Sequence, residues 1–129
     1  MCNDREKWQL LDSNLCLLSA YIDLNRLREV TGDDVFFIKT LLLKANEENL
    51  KEMTIAKELA GAGEWPGLAK TLHRLRGSAQ VICANGIAAD CLVLEKQCLA
   101  ENNLDGIDQG LKNIETLLAG LNDCLLSLR

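Results

Sequence analysis

Residues 66–86, PGLAKTLHRLRGSAQVICANG, decide the fold. Within them Leu68, Leu72, Leu75, Ala79 and Ile82 recur at spacings of 4, 3, 4 and 3. That is the period of one helix face, not of a strand. Pro66 falls in the first turn, where a missing N–H leaves no bond unmade. Asn85-Gly86 reads as the stop, because both residues accept left-handed backbone angles. The same period continues downstream through Ile87, Cys91, Leu94 and Cys98, then through Ile107, Leu111, Ile114, Leu118, Leu121, Leu125 and Leu128. Upstream, Asp33 or Asp34 opens a long helix to about Ala60, with Ile38, Leu42, Ala45, Asn49, Met53, Ala56 and Ala60 on one face. Gly61-Ala62-Gly63 stops it. Asp23 reads as the N-cap of a short helix that ends near Thr31-Gly32. A first helix is expected from about Asp4 to Ala20, showing Trp8, Leu11, Leu15 and Leu18 on one side. Trp65 and Phe36-Phe37 read as core or capping aromatics rather than partner contacts. The expected fold is all-α, an antiparallel up-down four-helix bundle over residues 22–129. An N-terminal helix or linker over residues 1–21 precedes it.

Composition supports this reading. The chain has 129 residues, enough for one domain with a core that needs no disulfide or metal staple. Its 26 Leu against 4 Val, with 4% aromatics, call for a leucine core on helices and set aside all-β and parallel-sheet folds. No apolar run approaches the roughly 18 residues of a membrane span. No basic flank leads into an apolar stretch with a small-residue cleavage site, so no secretion leader is expected. A net charge of −5 disfavours nucleic acid as a partner. The six cysteines, Cys2, Cys16, Cys83, Cys91, Cys98 and Cys124, form no Cys-x-x-Cys pair, and one His leaves zinc without its usual ligands. No metal is expected, and the cysteines read as buried free thiols in a reducing cytoplasm.

The single imidazole, His73, stands one residue past Leu72 and so about 100° off the core face. Ala69, Arg76 and Gly77 lie one turn away on its own face, Gln80 lies two turns away, and Lys70 lies at the edge. Gly77 costs the helix roughly 1 kcal/mol relative to alanine, so close approach by a partner or another backbone would account for it. Residues 64–84 carry a local charge of +2 on an acidic chain. An exposed His in a positive island suits an anion that comes and goes. A solvated or hydrogen-bonded structural His fits the spacing equally. A di-metal carboxylate bundle would need Glu-x-x-His pairs, and Lys70 occupies that position. No nucleophile elbow or Gly-rich phosphate loop is present.

The run Ala69-Lys70-Thr71-Leu72-His73-Arg74-Leu75-Arg76-Gly77-Ser78-Ala79 resembles the His-x-Leu-Lys-Gly-Ser-Ala signature of histidine-containing phosphotransfer (HPt) domains. Ala84, Ile87, Cys91 and Leu94-Glu95 extend the likeness, as do Ile22-Asp23-Leu24, Leu27 and Thr31-Gly32-Asp33 upstream. Arg76 replaces the commoner Lys and keeps the charge. Cys83 replaces a frequent Gly and bears on how closely helices pack at that turn. The histidine-kinase dimerisation helix, which also carries a phosphorylated His, typically has an acidic residue after it and a nearby Pro. Here Arg74 follows, with no later Pro.

This resemblance implies a phosphohistidine carrier in a phosphorelay. His73 would accept a phosphoryl group from the aspartyl phosphate of a response-regulator receiver domain and pass it to another receiver's Asp. An imidazole with the ordinary pKa of about 6.5 is largely neutral, hence nucleophilic, in the cytoplasm. Arg76 and Lys70 would offset phosphoryl charge, and Gly77, Ala69 and Gln80 would border the docking face. Glu95 either accepts a hydrogen bond from Nδ1 of His73, leaving Nε2 to attack, or is a solvated helix glutamate paired with a nearby Lys. The receiver would bring Mg²⁺, so this chain needs no cofactor of its own, and no ATP-dependent kinase activity is expected. A hybrid sensor histidine kinase, on the same chain or separate, is the expected upstream partner. A cytoplasmic monomer without direct membrane contact is expected, either free or at the cytoplasmic end of a membrane sensor kinase. The competing reading is a non-catalytic helical adaptor that binds a partner protein.

Overall fold

The computed structural model describes residues 18–100 and 104–126. Five α-helices follow a short 3₁₀ turn at Leu18–Ala20, and the described residues contain no strand. They are α1 (Leu24–Thr31), α2 (Val35–Gly61), α3 (Trp65–Val81), α4 (Asn85–Ala100) and α5 (Leu104–Leu126). The expected first helix falls mostly outside the described residues. Its end differs from expectation: Leu18 accepts from the N–H groups of Tyr21 and Ile22, closing a 3₁₀ turn where helix was foreseen.

The helix boundaries follow local chemistry. Asp23 accepts from the Arg26 N–H at 3.0 Å and starts α1, while Gly32 ends it at φ 74°. Asp34, not Asp33, caps α2 by accepting from the Phe37 N–H at 3.1 Å. Asp33 is itself left-handed at φ 66° and pairs with Arg28 at 2.6 Å. Gly63, at φ 69°, turns the chain after α2, and Pro66 sits in the first turn of α3.

The stop after α3 is not where Asn85-Gly86 suggested. The helix ends at Val81, Cys83 takes the left-handed angle at φ 58°, and Asn85 begins α4. Cys83 is therefore the residue that turns the chain, and it is buried among the core residues at that turn. Its carbonyl also accepts from the Asp23 N–H at 2.9 Å, tying α1 to this turn. A left-handed angle costs a residue with a Cβ roughly 1–2 kcal/mol, and glycine avoids that cost. Cys83→Gly is expected to be more stable than Cys83→Ala by about 1 kcal/mol. Both variants lose the thiol and differ only in the Cβ, so denaturant titration of the two compares them directly. Equal midpoints would refute it.

One core joins the helices. Leu68, Leu72, Leu75, Ala79 and Ile82 are fully buried, as are Ile38, Leu42 and Ala56 on α2 and Ile107, Ile114 and Leu121 on α5. Helix α2 packs on α3, α3 on α4, α4 on α5, and α5 back on α2. Two crossings rest on residues of opposite kind. Asn46 donates to Asn122 at 2.7 Å between α2 and α5, and Lys57 meets Glu115 at 2.7 Å farther along the same pair. At the α4–α5 crossing, a Cβ on Gly110 would collide with Cδ1 of buried Leu94 and lie 3.1 Å from its Cγ. Gly110→Ala should therefore destabilise the fold by about 1–2 kcal/mol, with overpacking outweighing alanine's better helix propensity. A variant that melts higher than the parent would contradict this.

Phe36 and Phe37 are not core aromatics; they are 79% and 50% exposed. Ile38 fixes the buried face of α2, and residues one and two before it are rotated about 100° and 200° away. Trp65 does pack partly against the core. Cys83, Cys91 and Cys98 are buried free thiols, and Cys124 is buried too. Cys2, Cys16 and Leu128 lie outside the described residues. Among the described residues, no helix is long and apolar enough to cross a membrane.

Candidate functional site

Helix α3 carries His73 with its core face turned inward and its imidazole outward; the side chain is 63% exposed. Leu72 and Leu75, one before and two after, are fully buried, so the ring stands over a rigid stretch of helix. Two side chains meet Nδ1. The Oε1 of Glu95, from the middle of α4, lies 3.0 Å away, and Nη2 of Arg76 lies 2.9 Å away. Arg76 also reaches Oε2 of the same carboxylate through Nε, at 3.3 Å. Among the described residues nothing hydrogen-bonds Nε2. The ring thus has one nitrogen engaged and one without a hydrogen-bond partner among the described residues.

The positive island foreseen from sequence is largely neutralised from neighbouring helices. Arg74 turns away from His73 to Glu52 on α2, with Nε 3.2 Å from Oε1, and donates to the Thr71 hydroxyl. Arg76 is paired with Glu95. Lys70 is exposed and makes no ion pair among the described residues, so it is the cation left to a visiting anion. Glu52 was the element the sequence did not disclose. It sits on a different helix, and only the packing of α2 on α3 brings it to Arg74.

His73, Lys70 and Ala69 line an open groove of about 400 Å³ beside Glu95. Ala69, placed on the His73 face by spacing, is only 3% exposed and floors this groove rather than standing on the surface. Pro66 and Leu99 give its walls an apolar edge. Leu99, 67% exposed, was not singled out from sequence. The signal was available, since it follows Glu95 by four residues and so shares its face. Gly77 is exposed, and beyond its own helix backbone and its chain neighbours nothing among the described residues lies within 4 Å of where a Cβ would be. Gln80 is exposed one turn farther on, and neither residue lines the groove.

The arrangement offers a ring nitrogen, a carboxylate and two cations, and the nearby described thiols do not add a nucleophile. The Cys91 thiol, on the same helix as Glu95, is pushed up to about 12, first by burial and then by Asp90. Burial raises Cys98 likewise, so neither holds a thiolate at neutral pH. Among the described residues no group of three His, Cys, Asp or Glu is placed to hold a metal.

The Hpt domain family model matches residues 38–124, more than half of the chain, and the match spans α3, His73 and Glu95. Comparisons with curated proteins and with solved structures found no match.

Proposed function

Because the chain belongs to the Hpt domain family, whose members carry out histidine phosphotransfer in phosphorelays, we propose that His73 is its phosphorylated residue. On this reading His73 accepts a phosphoryl group from a receiver's aspartyl phosphate and hands it to the Asp of another receiver. The observation that carries it is the exposed imidazole in the family motif, with Nδ1 occupied and Nε2 open. Phosphoryl transfer needs positioning and charge compensation more than covalent help from the protein. The Nε2 lone pair attacks phosphorus, the P–O bond to the aspartyl carboxylate breaks, and that carboxylate leaves with the electron pair. The ring is then substituted at Nε2 and protonated at Nδ1, hence cationic. Glu95, accepting from Nδ1–H, orients the ring for attack and offsets that charge. Lys70 and Arg76 face the phosphoryl oxygens, and Gly77 leaves room for the receiver's surface. Mg²⁺ comes with the receiver, and a sensor kinase supplies the phosphoryl group from ATP elsewhere.

We further infer an antiparallel, up-down order for α2 to α5. Rising numbers on α3 meet falling ones on α2, since Gly67 lies against Leu59 and Arg74 against Glu52. The α2–α5 pairs run the same way, Asn46 with Asn122 and Lys57 with Glu115. Connections of three residues, 62–64 and 82–84, suit antiparallel neighbours. A monomer working in the cytoplasm completes the proposal. The test is incubation with a phosphorylated receiver and Mg²⁺. A label on this chain that acid removes and alkali spares identifies phosphohistidine. An unlabelled chain across a panel of receivers would favour the adaptor reading.

A further inference from the structure

We propose that Arg76 holds the His73 ring in its unreactive tautomer until an incoming phosphoryl group draws the guanidinium away. Two groups of opposite hydrogen-bonding character crowd one ring nitrogen. Nη2 of Arg76 lies 2.9 Å from Nδ1 and Oε1 of Glu95 lies 3.0 Å from it. A guanidinium only donates and a carboxylate only accepts. A neutral imidazole presents at Nδ1 either one N–H or one in-plane lone pair, so only one of these contacts is satisfied at a time. When Nδ1 accepts from Arg76, the ring proton sits on Nε2 and no lone pair remains there to attack. When Nδ1–H donates to Glu95, Nε2 is free.

Of the cations among the described residues, only Arg76 is in this position. Arg74 is committed to Glu52 and Thr71, and Lys70 shares the groove with His73 without a hydrogen bond to the ring. Arg76 and Glu95 are 21% and 14% exposed against 63% for His73, and they are joined to each other at 3.3 Å. The pair is therefore a fixed frame for an exposed ring. An arriving phosphoryl group competes for the Arg76 donor. As that donor leaves Nδ1, the ring proton passes through solvent from Nε2 to Nδ1, where Glu95 accepts it. The N–P bond then forms as the aspartyl P–O bond breaks. Arg76 is thus a positioning residue with two opposed effects, restraining the idle ring and compensating charge in the loaded one. This consequence rests on the phosphotransfer reading of His73, while the tautomer balance does not.

The experiment is ¹⁵N–¹H correlation of the His73 ring in the full chain, without any receiver, in alkaline solution where imidazole is neutral. Arg76→Met and Glu95→Met are compared with the parent. Arg76→Met is expected to shift the tautomer ratio toward Nδ1–H by about threefold or more, and Glu95→Met to shift it toward Nε2–H. Unchanged ratios, or shifts in the same direction, overturn the proposal. A parent ring found wholly as Nδ1–H also overturns it, whatever the variants do. Failure of a receiver to label His73 would instead strike the phosphotransfer reading and leave the tautomer result standing.

Discussion

His73→Gln abolishes phosphoryl acceptance and leaves the helices folded. The ring is 63% exposed and stands off the buried line of Leu68, Leu72 and Leu75, so its removal opens no cavity. Stability should change by no more than about 0.5 kcal/mol, as for surface substitutions away from special features. Glutamine preserves length and hydrogen-bonding capacity toward Glu95 and Arg76, yet its amide nitrogen carries no nucleophilic lone pair. Loss of label is therefore a loss of chemistry, not of docking. The check is parallel labelling of parent and variant by one phosphorylated receiver, with far-ultraviolet circular dichroism of both. A variant that still takes up label would move the site to another residue. Unlabelled variant with collapsed helicity would make His73 a structural residue.

The core was legible in the sequence because its rule is local. Every described member of the 107, 111, 114, 118, 121, 125 series is buried, as 4-3 alternation requires of one helix face. The site was legible in part. His73, Lys70, Arg76 and Gly77 share a helix, and their relative placement follows from 3.6 residues per turn. The partner that completes the ring's environment, Glu95, lies 22 residues away, and spacing alone left it between two readings. The structure brings it to Nδ1. What escaped was set by tertiary neighbours. Glu52 and Glu95 cancel the charge that a count over residues 64–84 credits to Arg74 and Arg76. The turn after α3 escaped for a different reason. Asn-Gly is the stronger left-handed signal, but the chain places the left-handed angle at Cys83, two residues earlier. There the Cys83 carbonyl receives the Asp23 N–H, so a long-range contact outranks a local preference.

Gly77→Gln impairs phosphotransfer severely while leaving the fold intact, and Gly77→Ala impairs it less while raising stability. Beyond the helix's own backbone and its chain neighbours, no atom of the described residues lies within 4 Å of the position a Cβ would take, so either side chain has room in the isolated protein. Alanine is the better helix former, and the interior of α3 should gain up to about 1 kcal/mol. A glycine retained where alanine fits and stabilises needs a reason outside the bundle. Four residues along a helix, Gly77 lies directly beside His73 on the exposed face. On the proposed function a receiver brings its aspartyl phosphate to bonding distance of Nε2, so its surface comes down close to the helix backbone there. A methyl group holds that surface off slightly, and a glutamine side chain holds it off by several ångströms. Misplacing reacting groups by about 1 Å can cost on the order of 10²-fold in rate. The measurement pairs melting temperature with transfer rate for the two variants against the parent. Transfer falling from Gly to Ala to Gln, with melting unchanged or raised, supports a glycine kept for access. Undiminished transfer in Gly77→Gln removes access as the explanation, because the larger side chain would then share the face with the docked receiver.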